Sequence, residues 1–119
     1  MAARPSPVVL KARAKHTATL IFLHGLGDTG HGWAAGLNSI RPDFLKIVCP
    51  TAPTVPVTLN MGMHMPSWYD IYSLDRVDAN KREDINGVLE SSDYLRQLIK
   101  GKRQQNCKCI IVLIKKAFL

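Results

Sequence analysis

Acidic residues are missing from both ends of this 119-residue chain: none precedes Asp28 and none lies in residues 100–119. The final stretch carries Lys100, Lys102, Arg103, Lys108, Lys115 and Lys116, whereas residues 1–99 hold ten Lys or Arg against nine Asp or Glu. The net charge of +7 therefore belongs almost wholly to the tail. A nucleic-acid surface wants basic residues spread over a face with aromatics to stack on bases, and Phe118 is the only aromatic after residue 99. The tail reads as a solvated segment, and no nucleic-acid partner is expected. No apolar run approaches the ~20 residues needed to cross a bilayer, so no transmembrane segment is expected. Three cysteines (Cys49, Cys107 and Cys109) are too few and too oddly spaced for a disulfide framework, which suggests a reducing, cytoplasmic setting. Neither Cys107-x-Cys109 nor the set His24, His31, His64 and Cys49 has zinc-ligand spacing, so no metal and no cofactor are expected. Residues 1–20 loosely resemble a transit peptide, but Pro5 and Pro7 spoil an amphipathic helix. Residues 1–14 fit an N-terminal extension or a peripheral strand.

What is present is a globular composition, 46% hydrophobic and 21% charged, enough for one domain without repeats or low-complexity tracts. "ATLIFLH" (18–24) is apolar without clean alternation, as a strand covered on both faces should be. A glycine-rich turn follows, then a short helix over about 30–40 stopped by Pro42. "FLKIVCP" (44–50) is a second buried strand. "TAPTVPVTLNMGMHMP" (51–66) contains Pro53, Pro56 and Pro66 and no helical period, so a long ordered loop is expected there. Residues 67–74 form a short irregular or strand segment. Over 84–100, Ile85, Val88, Leu89, Leu95, Leu98 and Ile99 make one stripe of a helix, with Asp84 as N-cap and Gly101 as its stop. "CIIVLI" (109–114) is a third strand. This order predicts an α/β fold built on a parallel sheet.

The turn "HGLGDTG" (24–30) poses the functional question. Gly25-x-Gly27-x-x-Gly30 matches the dinucleotide fingerprint, which also requires an acid at the end of the next strand to hold a ribose. That strand ends at Cys49-Pro50-Thr51, and the nearby Asp43 precedes it. No Gly-Lys-Ser/Thr is present for a phosphate loop either. The alternative is an oxyanion hole, in which His-Gly-x-Gly turns the chain sharply and aims a backbone N–H at a carbonyl that becomes negative during acyl transfer. A plain strand-to-helix turn is compatible with both.

"FLHGLGDTGHGW", then "CPTAP", "VTLNMGMHMPSWYDI" and an amphipathic helix, resembles the acyl-protein thioesterases, lysophospholipase-like serine hydrolases. The resemblance is close over residues 15–74 and looser to Lys100. It implies an incomplete α/β-hydrolase fold, the front half with its parallel-sheet core, spanning residues 15–100 with a divergent basic tail at 101–119 that ends in a strand-like segment. It implies substrates among acylated proteins and lysophospholipids. By the same matching, the Leu26 backbone N–H is an oxyanion donor, and Leu59, Met61, Ile71 and Leu74 line or border the acyl channel. Ordinary core packing remains the other reading of those four. His24, Asp28 and Trp68 also match, and His24, ending an apolar run, is expected to be a structural histidine rather than a proton shuttle.

This family needs a serine in a Gly-x-Ser-x-Gly elbow, followed by an aspartate and a histidine. The pattern does not occur in the 119 residues; Ser6, Ser39, Ser67, Ser73, Ser91 and Ser92 lie outside any elbow, and no histidine follows His64. The departure begins near Lys100, where the excess positive charge begins. A truncated or altered ending accounts for both. Losing the serine of a triad costs about 10⁶ in kcat, so the chain is expected to be inactive, and a non-catalytic acyl-chain or partner-binding protein is the rival reading. Position 2 is Ala2, not the lipid-anchoring cysteine of some relatives.

Overall fold

The computed structural model describes residues 4–73, 83–104 and 107–115. Its elements are β1 (Val8–Leu10), β2 (Ala18–Leu23), α1 (Gly30–Ile40), β3 (Leu45–Cys49), β4 (Thr54–Val57), β5 (Met63–Pro66), α2 (Ile85–Gln104) and β6 (Cys109–Ile114). Four strands form one sheet in the order β1-β3-β2-β6. The pairs β2–β3 and β2–β6 are parallel, and β1 runs antiparallel along β3. The peripheral strand expected in residues 1–14 is thus a short antiparallel edge.

Alternation along β2 sorts its side chains onto two faces. Leu20 and Phe22 pack with Ile47, Cys49 and Ala34 of α1, and Trp33 and Leu37 close that layer. Ile21 and Leu23 pack with Val48, and Leu95, Leu98 and Ile99 of α2 cover them. One helix per face explains why β2 is buried throughout, whereas the edge strand β6 has Ile111 and Leu113 about half exposed, at 46% and 48%. Arg41 fastens the α1 corner: its guanidinium donates to the Lys11 and Leu45 carbonyls, both at 2.7 Å, and to Asn38 Oδ1 at 2.9 Å.

Two expectations are corrected. Residues 51–66 are not a loop: β4 and β5 pair as an antiparallel hairpin, with Val55 opposite Met65 and Val57 opposite Met63. Both strands of a two-stranded ribbon are edges, where proline is tolerated, so Pro56 and Pro66 do not forbid it. The reversal runs through a 3-10 turn at Thr58–Asn60, with Met61 at φ 56° and Gly62 at φ 77°. Nor does α2 stop at Gly101; it continues to Gln104. A lone glycine costs a helix only about 1 kcal/mol relative to alanine. The positive φ that would make it a terminator occurs, among described glycines, only at Gly27 and Gly62. Asp84 does cap α2, its Oδ1 accepting the Gly87 N–H at 3.0 Å.

Candidate functional site

The site lies where β2 ends. His24 follows Leu23 and is 1% exposed. Its Nε2 is 2.9 Å from the Ala52 N–H, which can only donate, so the ring proton is on Nδ1, which donates to the Gly25 carbonyl at 2.7 Å. The His24 carbonyl accepts the Trp68 indole N–H at 2.9 Å, and the two rings pack with centroids 5.2 Å apart. With both ring nitrogens committed to backbone, His24 acts as a strut joining the β2 end, the segment after β3 and the segment after β5.

The chain then turns. Gly27, at φ 80°, adopts a conformation that L side chains avoid, and donates its N–H to the Pro66 carbonyl at 2.9 Å. Asp28 Oδ1 accepts the Thr29 N–H at 2.7 Å, and Gly30 opens α1 with its N–H on Thr51 Oγ1 at 2.9 Å. Gly30 sits so close to β3 that an added Cβ would lie 2.2 Å from the Cys49 carbonyl oxygen. Between these anchors, the Leu26 N–H has no hydrogen-bond partner among the described residues.

Leu26 borders an open cavity of about 440 Å³ between the strand ends, residues 67–71 and α2. Leu23, Trp68, Ile71, Val88, Leu95 and Ile114 give it an apolar wall; Lys115 also touches it, with its ammonium over the Trp33 ring in the α1 layer. The far wall is held by α2 itself: Ser91 donates its hydroxyl to the Trp68 carbonyl, and Asp84 Oδ2 accepts the Asp70 N–H at 2.8 Å.

Among the residues singled out from the sequence, His24, Leu26, Trp68 and Ile71 meet at this cavity. Leu59 is half-buried on the 3-10 turn and donates its N–H to the Ile71 carbonyl at 2.8 Å, away from the wall. Met61 stands at the hairpin tip, 96% exposed. Leu74 lies outside the described residues. Sequence reasoning placed Val88 and Leu95 on the helix stripe without assigning them to a cavity, and had no signal for Lys115.

The serines at the cavity do not form a nucleophile–base pair with His24. Ser67 donates to the Tyr69 carbonyl at 2.6 Å and Ser91 to that of Trp68, while both His24 nitrogens are occupied. Cys49 is wholly buried, and burial pushes its thiol up to about 11, which makes it inert as a nucleophile at neutral pH. The arrangement offers an unpaired donor beside an apolar hollow. It is a place to hold an acyl group.

Comparison with known proteins decides the lineage. The Phospholipase/Carboxylesterase family matches residues 4–115. The chain belongs to this family. Phospholipase/Carboxylesterase similarity therefore extends through β6, beyond the position near Lys100 where the family resemblance was expected to end. Acyl-protein thioesterase 1 of Neurospora crassa is 48% identical over 103 residues, covering 82% of this chain and 42% of the relative. That of Schizosaccharomyces pombe is 48% identical over 100 residues, covering 83% and 43%. The crystal structure of Zea mays acyl-protein thioesterase 2 superposes with a TM-score of 0.73 at 32% identity, covering 79% of this chain and 39% of that one. Arabidopsis thaliana SOBER1 gives 0.69 at 26% identity, covering 82% and 49%. The sheet and its helices thus correspond to part of the α/β-hydrolase fold of these relatives. The chain spans less than half the length of the relatives it matches.

Proposed function

We propose that the cavity and the Leu26 N–H are the acyl pocket and one oxyanion donor of an acyl-protein thioesterase type of site. Its substrates are long-chain thioesters on protein cysteines and, secondarily, lysophospholipids, met in the cytoplasm. The observation that supports this reading most is the unpartnered N–H at the end of the central strand, next to an apolar hollow. A donor held there by flanking hydrogen bonds needs no reorganisation when a carbonyl oxygen gains charge. An aliphatic chain gains about 0.8 kcal/mol per methylene removed from water, and Ile71 with the other wall residues supplies the surroundings.

The 119 residues contain no Gly-x-Ser-x-Gly, so this chain by itself holds the acyl group and does not turn it over. Purified protein is expected neither to hydrolyse a long-chain acyl thioester nor to be labelled by a serine-directed fluorophosphonate. Neutral fatty alcohols are expected to bind with affinity rising about fourfold per added methylene until the cavity is full. Turnover of the thioester would sink the non-catalytic part of the proposal; affinity independent of chain length would sink the acyl pocket.

A further inference from the structure

A second cavity, of about 330 Å³, lies between β4, residues 67–72 and the first turns of α2; it shares the Trp68 wall with the acyl cavity but not the Leu26 turn. Four charged side chains line it: Arg4, Asp70, Asp84 and Glu90. Two of them are already engaged. Asp70 accepts the Thr58 N–H at 2.8 Å and the Thr58 hydroxyl at 2.6 Å, and Asp84 accepts the Gly87 and Asp70 N–H groups at 3.0 and 2.8 Å. The other two are not. Arg4 and Glu90 share the cavity without meeting in an ion pair, and neither has a hydrogen-bond partner among the described residues.

The Arg4 guanidinium is held in place. Its carbon lies 4.3 Å from the centroid of the Tyr94 ring, and Tyr94 follows Gly87 and Glu90 along one stripe of α2, so the head sits where the helical wall of the cavity continues. Nη1 is shut off from solvent without a partner. That leaves Nε and Nη2 as the open edge, a planar fork that matches an oxyanion bidentately and, already flattened on a ring, loses little freedom when one arrives. A simple anion would be drawn to Arg4 but would face three carboxylates. A simple cation would suit the carboxylates and leave the fork empty. One molecule carrying both signs satisfies both free groups.

We propose that this cavity binds a small zwitterion, a free α-amino acid, with its carboxylate on the Arg4 fork and its ammonium toward Glu90. The charges of Asp70 and Asp84 add to the field that holds the ammonium. An apolar side chain suits the remaining wall, which Pro53, Val55 and Pro56 supply. The site is independent of the acyl-pocket reading and stands or falls without it.

The test uses the full chain with L-leucine, with N-acetyl-L-leucine, which lacks the ammonium, and with L-leucinamide, which lacks the carboxylate, at pH 6.5 by isothermal titration calorimetry. Leucine is expected to bind about tenfold more tightly than either half-ligand, since each loses a charge-assisted contact. Arg4→Met, which keeps an apolar stem against Tyr94, is expected to bring leucine down to the level of leucinamide and to leave leucinamide unchanged. Glu90→Gln is expected to bring leucine down toward N-acetyl-leucine and to leave that ligand unchanged. Circular dichroism shows that each variant is folded. Leucine binding no more tightly than the half-ligands, a tenfold preference surviving both substitutions, or no binding of leucine at all would overturn the proposal.

Discussion

Replacing His24 by leucine should be among the most damaging single changes in this chain, although the side chain takes part in no proton transfer. Leucine is similar in volume but offers neither acceptor nor donor. The Ala52 N–H and the Gly25 carbonyl, both buried, would each lose a partner now held at 2.9 and 2.7 Å. The Ala52 N–H would be left unsatisfied, at about 1–3 kcal/mol, whereas the Gly25 carbonyl keeps the Asp28 N–H at 3.2 Å and loses one hydrogen bond worth about 0.5–1.5 kcal/mol, so the pair amounts to roughly 1.5–4.5 kcal/mol. A chain of this length has a total stability on the order of 6–18 kcal/mol, which makes the loss a large share of the whole. Urea unfolding followed by tryptophan fluorescence and circular dichroism is the assay. With a slope of about 1–3 kcal/mol per molar urea, the midpoint should fall by roughly 1.5 M. His24→Gln separates hydrogen bonding from packing, because its side-chain carbonyl can accept from Ala52; it should recover about half the loss. A leucine variant within about 1 kcal/mol of the parent would refute the strut.

Gly30→Ala should destabilise by about 1–3 kcal/mol, the range for overpacking, because the new Cβ would meet the Cys49 carbonyl 2.2 Å away; thermal unfolding measures it. Asp84→Ala removes both the α2 cap and the acceptor for the Asp70 N–H, and should cost roughly 1–3 kcal/mol while weakening decanol binding, since α2 forms one cavity wall. Cys49 gives a pH signature. Its thiol ionises at about 11 in the folded chain against an ordinary 9.0, so the stability it contributes is intact below pH 9 and is lost as pH rises towards 11. The loss reaches up to about 3 kcal/mol. Urea midpoints between pH 8 and 11 should therefore fall more steeply for the parent than for Cys49→Ala, and parallel curves would contradict this.

How far the fold could be seen in advance depends on where the structural information sits. The strands β2, β3 and β6 are legible because each is a short apolar run, and α1 because Gly30 and Pro42 bracket it. The β4–β5 hairpin is hidden by its prolines, since nothing local says that a two-stranded ribbon has no interior position for proline to disrupt. The extension of α2 past Gly101 is hidden because glycine ends a helix only when its φ turns positive, and that is decided by the surroundings. At the site, the motif points to Leu26, but its proximity to Ile71 depends on the Gly27–Pro66 hydrogen bond, which ties the turn to the hairpin. The partners of His24 are backbone groups of Gly25 and Ala52. Backbone atoms leave no signature in sequence, so the residue's place could be anticipated and its geometry could not.

The central position of β2 has a consequence for biosynthesis. Its second neighbour, β6, pairs Ala18 with Cys109 and Leu23 with Ile114, so the innermost strand is made early and finds that partner only after α2 has left the ribosome. Until then Ile21 and Leu23 have β3 at one side and no completed layer above them, a state that invites capture by a holding chaperone. Translation pauses that leave β6 unmade or still within the ribosome should therefore lower the soluble yield.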